Sequence, residues 1–365
     1  MLSTIKKMPG YNQAKTLYKK IRRFIKDSKL YVSIKEPSIV NQENQRLFEE
    51  AQSRFKEEKP QHGSIEDYQA CLKKYRVNYS EYMYQYELWK LNEQQRSEFV
   101  SRAEMQSVYR LYLVKWKIAE LMTNKVLFLQ KYSDFVIREW MLVKEHSFDE
   151  FREFLSRFDC IAKPVGSSLG RGVFLIVRGG VNLKLYEQCV AQNILLEECV
   201  TATDEISKFN PDSLNTIRVV TFSNGKGAEV FGSFIRFGRK GKVIDNAHAG
   251  GVFAQINVNT GLIESNGINT DGGEFVSHPD SGIQFKGYRI PQWENIKEFC
   301  TKAALKVKGV KVCGWDVCVR QDGRLEFIEG NYGPDFDVMQ SPLKRGVKKE
   351  LNKLFVKLYG KSLLL

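Results

Sequence analysis

Apolar positions recur at three- and four-residue spacing over roughly the first 130 residues, and beyond about Phe135 they alternate in short runs. The first texture predicts helices. A polar, Glu/Gln-rich amphipathic stretch at 41–59 stops at Pro60, Gly63-Ser64 offers a cap for a helix to about Arg76, and Asn92 with Gln95 makes a capping box for a helix through Tyr112. Tyr79, Tyr82, Tyr84, Tyr86 and Trp89 are expected to pack these helices together rather than to stack on a ligand. The second texture predicts a strand at 135–143, a helix to Phe158 opened by a Ser147/Glu150 capping box, a strand at 159–165, a glycine-rich turn at 166–172, a returning strand at 173–178, a helix at 182–192 and a strand at 194–199. From Asn215 the strands lengthen and become antiparallel, with turns at Asn224-Gly225 and at 259–261. A helix at 291–308, a hairpin at 314–331 and a basic amphipathic helix at 342–359 complete the chain. The expected class is α+β with a helical N-terminal region, in four parts: 1–130, 131–203, 204–340 and 341–365.

The hairpin GWDVCVRQDGRLEFIEGN carries the first chemical signal. Asp322-Gly323 predicts a two-residue type I′ turn, which pairs Gln321 with Arg324 and, counting back, Asp316 with Glu329. Carboxylates directly opposite on one face have Cβ atoms about 4.5–5.5 Å apart and repel, so something positive is expected between them. Strand alternation brings the amide oxygen of Asn331 to the same face. Two carboxylates and one neutral oxygen suit Mg2+, which usually takes one or two protein carboxylates and completes its octahedron with water and phosphate oxygens. A surface hairpin with a chance acidic pair is the alternative.

Charge narrows the partners. Of the net +13, residues 1–30 carry nine cations against Asp27, a net +8, and residues 341–365 carry seven against Glu350, a net +6, so the remainder sums to −1. The basic ends speak of docking more than of core chemistry. Ala14, Leu17, Tyr18, Ile21 and Ile25 share one helical face amid lysines and arginines, the pattern of a helix lying on an anionic membrane or packing on its own protein. No nucleic-acid-binding motif accompanies the charge. With 42 % hydrophobic residues, enough for proper cores, no apolar run long enough to span a bilayer and no apolar signal core, the expected location is the cytoplasm, with possible membrane contact. The seven cysteines form no CxxC pair, which points to reduced packing residues rather than zinc ligands or disulfides.

The second chemical signal is KPVGSSLGRG. Lys163 stands on a strand before Gly166, Ser167, Ser168, Gly170 and Gly172, small residues that let backbone N–H groups close on phosphate oxygens beside a lysine point charge. The spacing is neither a Walker A motif nor GxGxxG opening a helix. An ordinary Gly-Ser hairpin has the same letters. The combination with a strand ending in Glu197-Glu198, the arginine-bearing NTIRVV and the Asp…Glu-x-Asn hairpin, in that order, is what gives it weight.

In KPVGSSLGRGV, LLEECV, NTIRVVTF, DNAHAGGVFAQINVNTG and WDVCVRQDGRLEFIEGN, the chain resembles the ATP-grasp superfamily, and more closely its sugar-transfer-associated branch, from about Asn124 to Gln340, with YELWKLNEQQR upstream also similar. The resemblance implies an ATP-grasp fold in which two α+β subdomains clamp ATP. It implies Lys163 on the α/β-phosphates under the 166–172 loop, Lys125 approaching the nucleotide, Glu197, Glu198 and Val200 in the adenine hinge, and Glu205 on the ribose. It further implies Asp316, Glu329 and Asn331 on Mg2+, with Arg218 and Arg236 neutralising the transferred phosphate or holding a carboxylate. The implied activity is that of an ATP- and Mg2+-dependent carboxylate–amine ligase working through an acyl phosphate, attaching an amino acid or amine to a cell-surface glycan or its precursor. Ligation to a peptide or protein tail, and a non-catalytic nucleotide-binding adaptor of a glycan-assembly complex, are the alternatives. The residues themselves agree with phosphoryl transfer, which needs positioning and charge neutralisation more than an enzymic nucleophile. Of His62, His146, His248 and His278, the last two could touch substrate but are expected to be loop residues. The substrates and the oligomeric state are not legible.

Overall fold

The computed structural model describes residues 29–58, 60, 63–167, 170–242, 245 and 250–363. The basic start of the chain, His62, Ser168 and His248 therefore lie outside the described residues. The chain divides into two compact units between Ala119 and Glu120.

The first unit is helical. Its long helix, Lys29–Glu58, begins earlier than the polar stretch suggested and carries Pro37 inside it. Ser64 caps the helix Ile65–Tyr75, its side chain accepting from the Asp67 N–H. Leu47 and Ala51 pack against Tyr68, Leu72, Tyr79 and Tyr82, and Tyr68 meets Tyr82 edge-on at 5.4 Å, so these aromatics serve helix packing. The helix expected from Asn92 through Tyr112 is instead two helices, Glu93–Ser97 and Arg102–Val108, followed by a π-helical turn. The reason is a second capping box: Glu104 N donates to Ser101 Oγ, and Ser101 N to a Glu104 carboxylate oxygen, which starts a new helix after the buried Phe99 and Val100.

The second unit holds two antiparallel sheets. The smaller has the order β1 (Trp140–Leu142), β4 (Ile194–Glu198), β2 (Cys160–Pro164), β3 (Phe174–Ile176). Phe151, Phe154 and Leu155 of the helix Phe148–Arg157, with Cys189 of Leu183–Ala191, bury its Cys160, Ala162, Ile194 and Leu196. The strand expected at 135–143 is shorter, because the backbone N–H groups of Ile137 and Arg138 donate to the Glu326 carboxylate rather than to a neighbouring strand.

The larger sheet runs β11 (Leu325–Asn331), β10 (Val312–Val319), β5 (Ile217–Ser223), β6 (Ala228–Phe237), β7 (Val252–Ile256), β8 (Gly267–Ile268), β9 (Glu274–Phe275). The helix Trp293–Lys306 covers one face, where Phe299 packs on Phe327 at 4.5 Å and Phe327 on Trp315 at 4.8 Å. Asp316, next to Trp315, faces the other way. The C-terminal helix, expected from Pro342, begins at Lys348.

Gly261 shows how closely the covering helix sits: its φ is +70°, and a Cβ there would lie 2.5 Å from Trp293 Cγ. Gly261→Ala is expected to cost roughly 1–3 kcal/mol through overpacking and the left-handed backbone, seen as a lower urea midpoint with an unchanged m-value.

Candidate nucleotide and metal site

The hairpin reaches the expected opposition of carboxylates by a different route. Arg320 N donates to Arg324 O, leaving a loop of three residues with Gly323 at φ +80°, so Val319 pairs with Leu325 and Val317 with Phe327, one residue off the expected register. A bulge between Asp316 and Val317 then takes up one residue on β11, and Asp316 faces Glu329 while Gly314 faces Asn331.

The positive charge beside Asp316 comes from protein. Arg218, paired with Asp316 on the adjacent strand, donates from Nε to Oδ1 and from Nη2 to Oδ2 at 2.9 Å, and Arg236 Nη2 lies 2.8 Å from Oδ2. Burial opposes ionisation of Asp316, but the two guanidinium groups outweigh it and hold the carboxyl at about 2. Glu329 goes the other way: burial and the charge of Asp316 raise its pKa. Asn331 Nδ2 donates to Glu329 Oε1 at 3.0 Å, leaving the amide oxygen available. A carboxylate offers about four lone-pair positions. Two on Asp316 are taken by Arg218 and a third guanidinium nitrogen, from Arg236, sits against Oδ2, so lone-pair capacity remains, alongside Glu329 and Asn331 Oδ1, and this donor set fits a hard divalent cation. Arg236 is steadied by Thr216, whose Oγ1 accepts from Nη2 at 2.6 Å and donates to Asp245 Oδ2 at 2.6 Å.

On the smaller sheet, Lys163 Nζ donates to Glu197 Oε2 at 2.8 Å, and Arg138 Nε donates to the same oxygen at 2.7 Å. Burial raises the Glu197 pKa, but Arg138 and Lys163 pull it down to about 2. The Glu197 carboxylate is thus committed to positioning Lys163. Lys125 Nζ donates to the carbonyl oxygens of Ser167 at 2.5 Å and Pro164 at 3.4 Å, tying the glycine-rich loop to the helix Lys125–Lys131, and burial lowers the Lys125 pKa. Gly170 and Gly172 have φ of +74° and +70°, a backbone that side chains rarely allow, while Gly166 has open space around it.

After Glu198 the chain passes from one sheet to the other. Cys199 N donates to Asp159 O, Thr203 N to Val319 O, and Gln321 N to Thr201 O. Val200 lies in this crossing segment, the Glu198 side chain accepts from Glu139 N at 3.0 Å, and Glu205 is exposed on the next short helix.

Sequence reasoning missed Arg138, Glu326 and Arg320. Arg138 is almost wholly buried; its Nη1 donates to Glu326 Oε1 at 2.8 Å and to Phe327 O at 2.7 Å, and its Nη2 to Ile328 O at 2.9 Å. Arg320 Nη1 pairs with the other Glu326 oxygen at 2.5 Å. One side chain therefore joins the strand that orients Lys163 to the bulge that presents Glu329. The available signal was a lone arginine in the apolar run FVIREW and a lone glutamate in LEFI. His278 is no substrate ligand: it is buried against Phe209, Phe237 and Phe285, with Nε2 3.0 Å from Gly238 O. All seven cysteines are free thiols, six of them buried. Among the described residues no helix is long and apolar enough to cross a membrane.

The family described as sugar-transfer-associated ATP-grasp matches residues 94–355. No curated protein matches. Among solved structures, the chain is similar to the ATP-grasp ligase PsnB complexed with a minimal precursor (14 % identity, 70 % of this chain and 69 % of that one, TM-score 0.44). It is also similar to N5-carboxyaminoimidazole ribonucleotide synthetase from Thermotoga maritima (15 %, 62 % and 48 %, 0.37) and to D-alanyl-alanine synthetase A from Vibrio cholerae (10 %, 68 % and 66 %, 0.40). Two antiparallel sheets joined by a crossing segment, one with a lysine and glycine-rich loop and the other with paired carboxylates and arginines, accompany a family match over most of the chain: this protein belongs to the sugar-transfer-associated ATP-grasp family and is an ATP-dependent enzyme of that fold.

Proposed function

We propose that the chain is an ATP- and Mg2+-dependent carboxylate–amine ligase that attaches an amino acid or similar amine to a uronic-acid-type glycan or its precursor. The observation that carries the ligase reading is the cluster of Arg218 and Arg236 on Asp316, beside Glu329 and Asn331, on the sheet joined through Arg138 and Glu197 to Lys163. The glycan part rests on the family's association with sugar transfer.

In this reading Asp316, Glu329 and Asn331 hold Mg2+, which neutralises charge on the nucleotide phosphates. Lys163 and the 166–172 loop bind the phosphate chain, with the 197–200 segment along the adenine and Glu205 at the ribose. A substrate carboxylate oxygen bonds to the γ-phosphorus as the bond to ADP breaks. The amine then attacks the acyl carbon, inorganic phosphate leaves, and the amine gives up a proton. Arg218 and Arg236 stabilise the negative charge that develops on the transferred group. The basic first 30 residues, in the same proposal, hold the enzyme near an anionic membrane or glycan.

Lys163→Ala should weaken binding of a non-hydrolysable ATP analogue with Mg2+ by roughly 1.5–3 kcal/mol, about 10- to 150-fold, the scale of a charge-assisted hydrogen bond, while Arg138 keeps Glu197 paired and the fold intact. Calorimetric titration measures this, and unchanged affinity would remove the loop from the nucleotide site. Hydroxylamine trapping across candidate carboxylates, read as an Mg2+-ATP-dependent hydroxamate, tests the acyl phosphate itself.

A further inference from the structure

Three strands along from the paired carboxylates, on the same face of the larger sheet, is a cavity of about 340 Å³ that the chemistry above does not use. The register fixes the face: Glu329 pairs with Asp316, Asp316 with Arg218, Arg218 with Phe234, and Phe234 with Gln255 on β7. Gln255 lines the cavity and is only 7 % exposed, yet its Oε1 has no hydrogen-bond partner among the described residues. A buried carbonyl oxygen left unpaired has lost its water without gaining a donor, a loss that a donor from a ligand would recover.

Two further lining residues are an unpaired cation and an unpaired anion. Arg345 and Glu350 are both exposed, and among the described residues neither closes an ion pair, with each other or with a third group. Met339, Leu343 and Val347 supply an apolar wall. A third charged lining residue, Glu264, accepts from Asn257 Nδ2 at 2.8 Å, so Arg345 and Glu350 are the opposite charges that face the cavity without a partner; with an open amide oxygen between apolar walls they complement a zwitterion carrying an apolar chain.

We propose that this cavity binds the zwitterionic head group of an α-amino acid, its ammonium donating to Gln255 Oε1 and Glu350 and its carboxylate accepting from Arg345. Its role as the amine-substrate subsite rests on the ligase reading; the binding does not, since no nucleotide is needed. Three strand spacings put Gln255 about 14 Å from Asp316, a reach that suits a nucleophile at the end of a long side chain rather than the α-amine.

Calorimetric titration of the full chain with lysine and with norleucine, which share the head group and a four-carbon chain, tests the site. Both should bind without ATP, and N-acetylnorleucine amide should not. Arg345→Met and Glu350→Gln, both exposed and so safe for the fold, should each weaken binding about 10-fold or more, and Gln255→Met likewise. Absence of binding at millimolar amino acid, equal binding of the capped compound, or unchanged affinity in the variants overturns the site. Parallel titration with an ATP analogue and Mg2+ separates the two ideas. A parent chain that takes nucleotide but no amino acid loses this subsite and keeps the ligase reading, whereas one that takes norleucine and lysine but yields no Mg2+-ATP-dependent hydroxamate with any candidate carboxylate keeps the subsite and loses the ligase.

Discussion

Arg138→Met is expected to lower the melting temperature by roughly 6–20 °C. The substitution keeps much of the length and apolar volume of the side chain but leaves the buried Glu197 with Lys163 alone and the buried Glu326 with Arg320 alone, each short of the cation they share. Removing one partner of a buried ion pair costs about 3–5 kcal/mol, because the remaining charge is stranded in a poorly solvating interior. For a unit of this size each kcal/mol shifts the midpoint by about 2–4 °C. The carbonyl oxygens of Phe327 and Ile328 also lose their donor, so the bulge is undone along with the charge pair. Arg138→Lys restores the charge but cannot donate along four directions at once, and should recover only part of the loss. A scanning-calorimetry midpoint for Arg138→Met within 2 °C of the parent would show that the network is incidental.

This network also marks where the letters stop being informative. The helices and strands of the second unit follow from caps and alternation because those signals are local: Ser147 with Glu150, Asn182 accepting from Leu185 N, and Asn224 closing the turn between β5 and β6. Arg138 meets Glu326 across 188 positions, and nothing local prescribes that meeting. The same limit explains the hairpin. Asp-Gly signals a turn, but whether two or three residues form it depends on twist and on pairing with β5, and a bulge at Ile328 leaves no mark in the composition of the strand. Two departures from the simple register cancel, so the expected facing of Asp316 and Glu329 was correct although the path to it was not. The glycine-rich loop and Lys163 were legible as a pattern, whereas the anchoring of Lys163 by Glu197 was not, since the resemblance assigned that glutamate to the adenine.

The second large effect concerns those two carboxylates, which the sequence treats as equivalent and the structure separates. Asp316 is the counter-charge of Arg218 and Arg236; Glu329 is the carboxylate that burial and Asp316 disfavour. Asp316→Asn should therefore destabilise the metal-free protein by several kcal/mol, because two guanidinium groups lose their anion. Glu329→Gln should leave it as stable as the parent or more so at neutral pH. The pH dependence has opposite signs. The Asp316 carboxyl is held at about 2 against an ordinary 3.8, so the stability it contributes is present above about pH 4 and is lost as pH falls towards 2; the penalty of Asn shrinks over that window. The Glu329 pKa lies above its ordinary 4.5, so the parent binds this proton more tightly when folded and loses stability as pH rises through the folded value; the advantage of Gln opens above about pH 4.5 and is absent below it. Turnover should separate from stability. Glu329→Gln removes one of two charges that hold the cation in the proposed site, and Mg2+-dependent ATP consumption should fall by ~100-fold or more, the scale of losing a transition-state charge stabiliser. Urea denaturation in chelator from pH 3 to 8, with turnover at saturating Mg2+, measures both. A Glu329→Gln protein that keeps normal turnover, or that unfolds as readily as Asp316→Asn, would mean that the pair Asp316 and Glu329 does not hold a metal and that its opposition across the hairpin belongs to the fold alone.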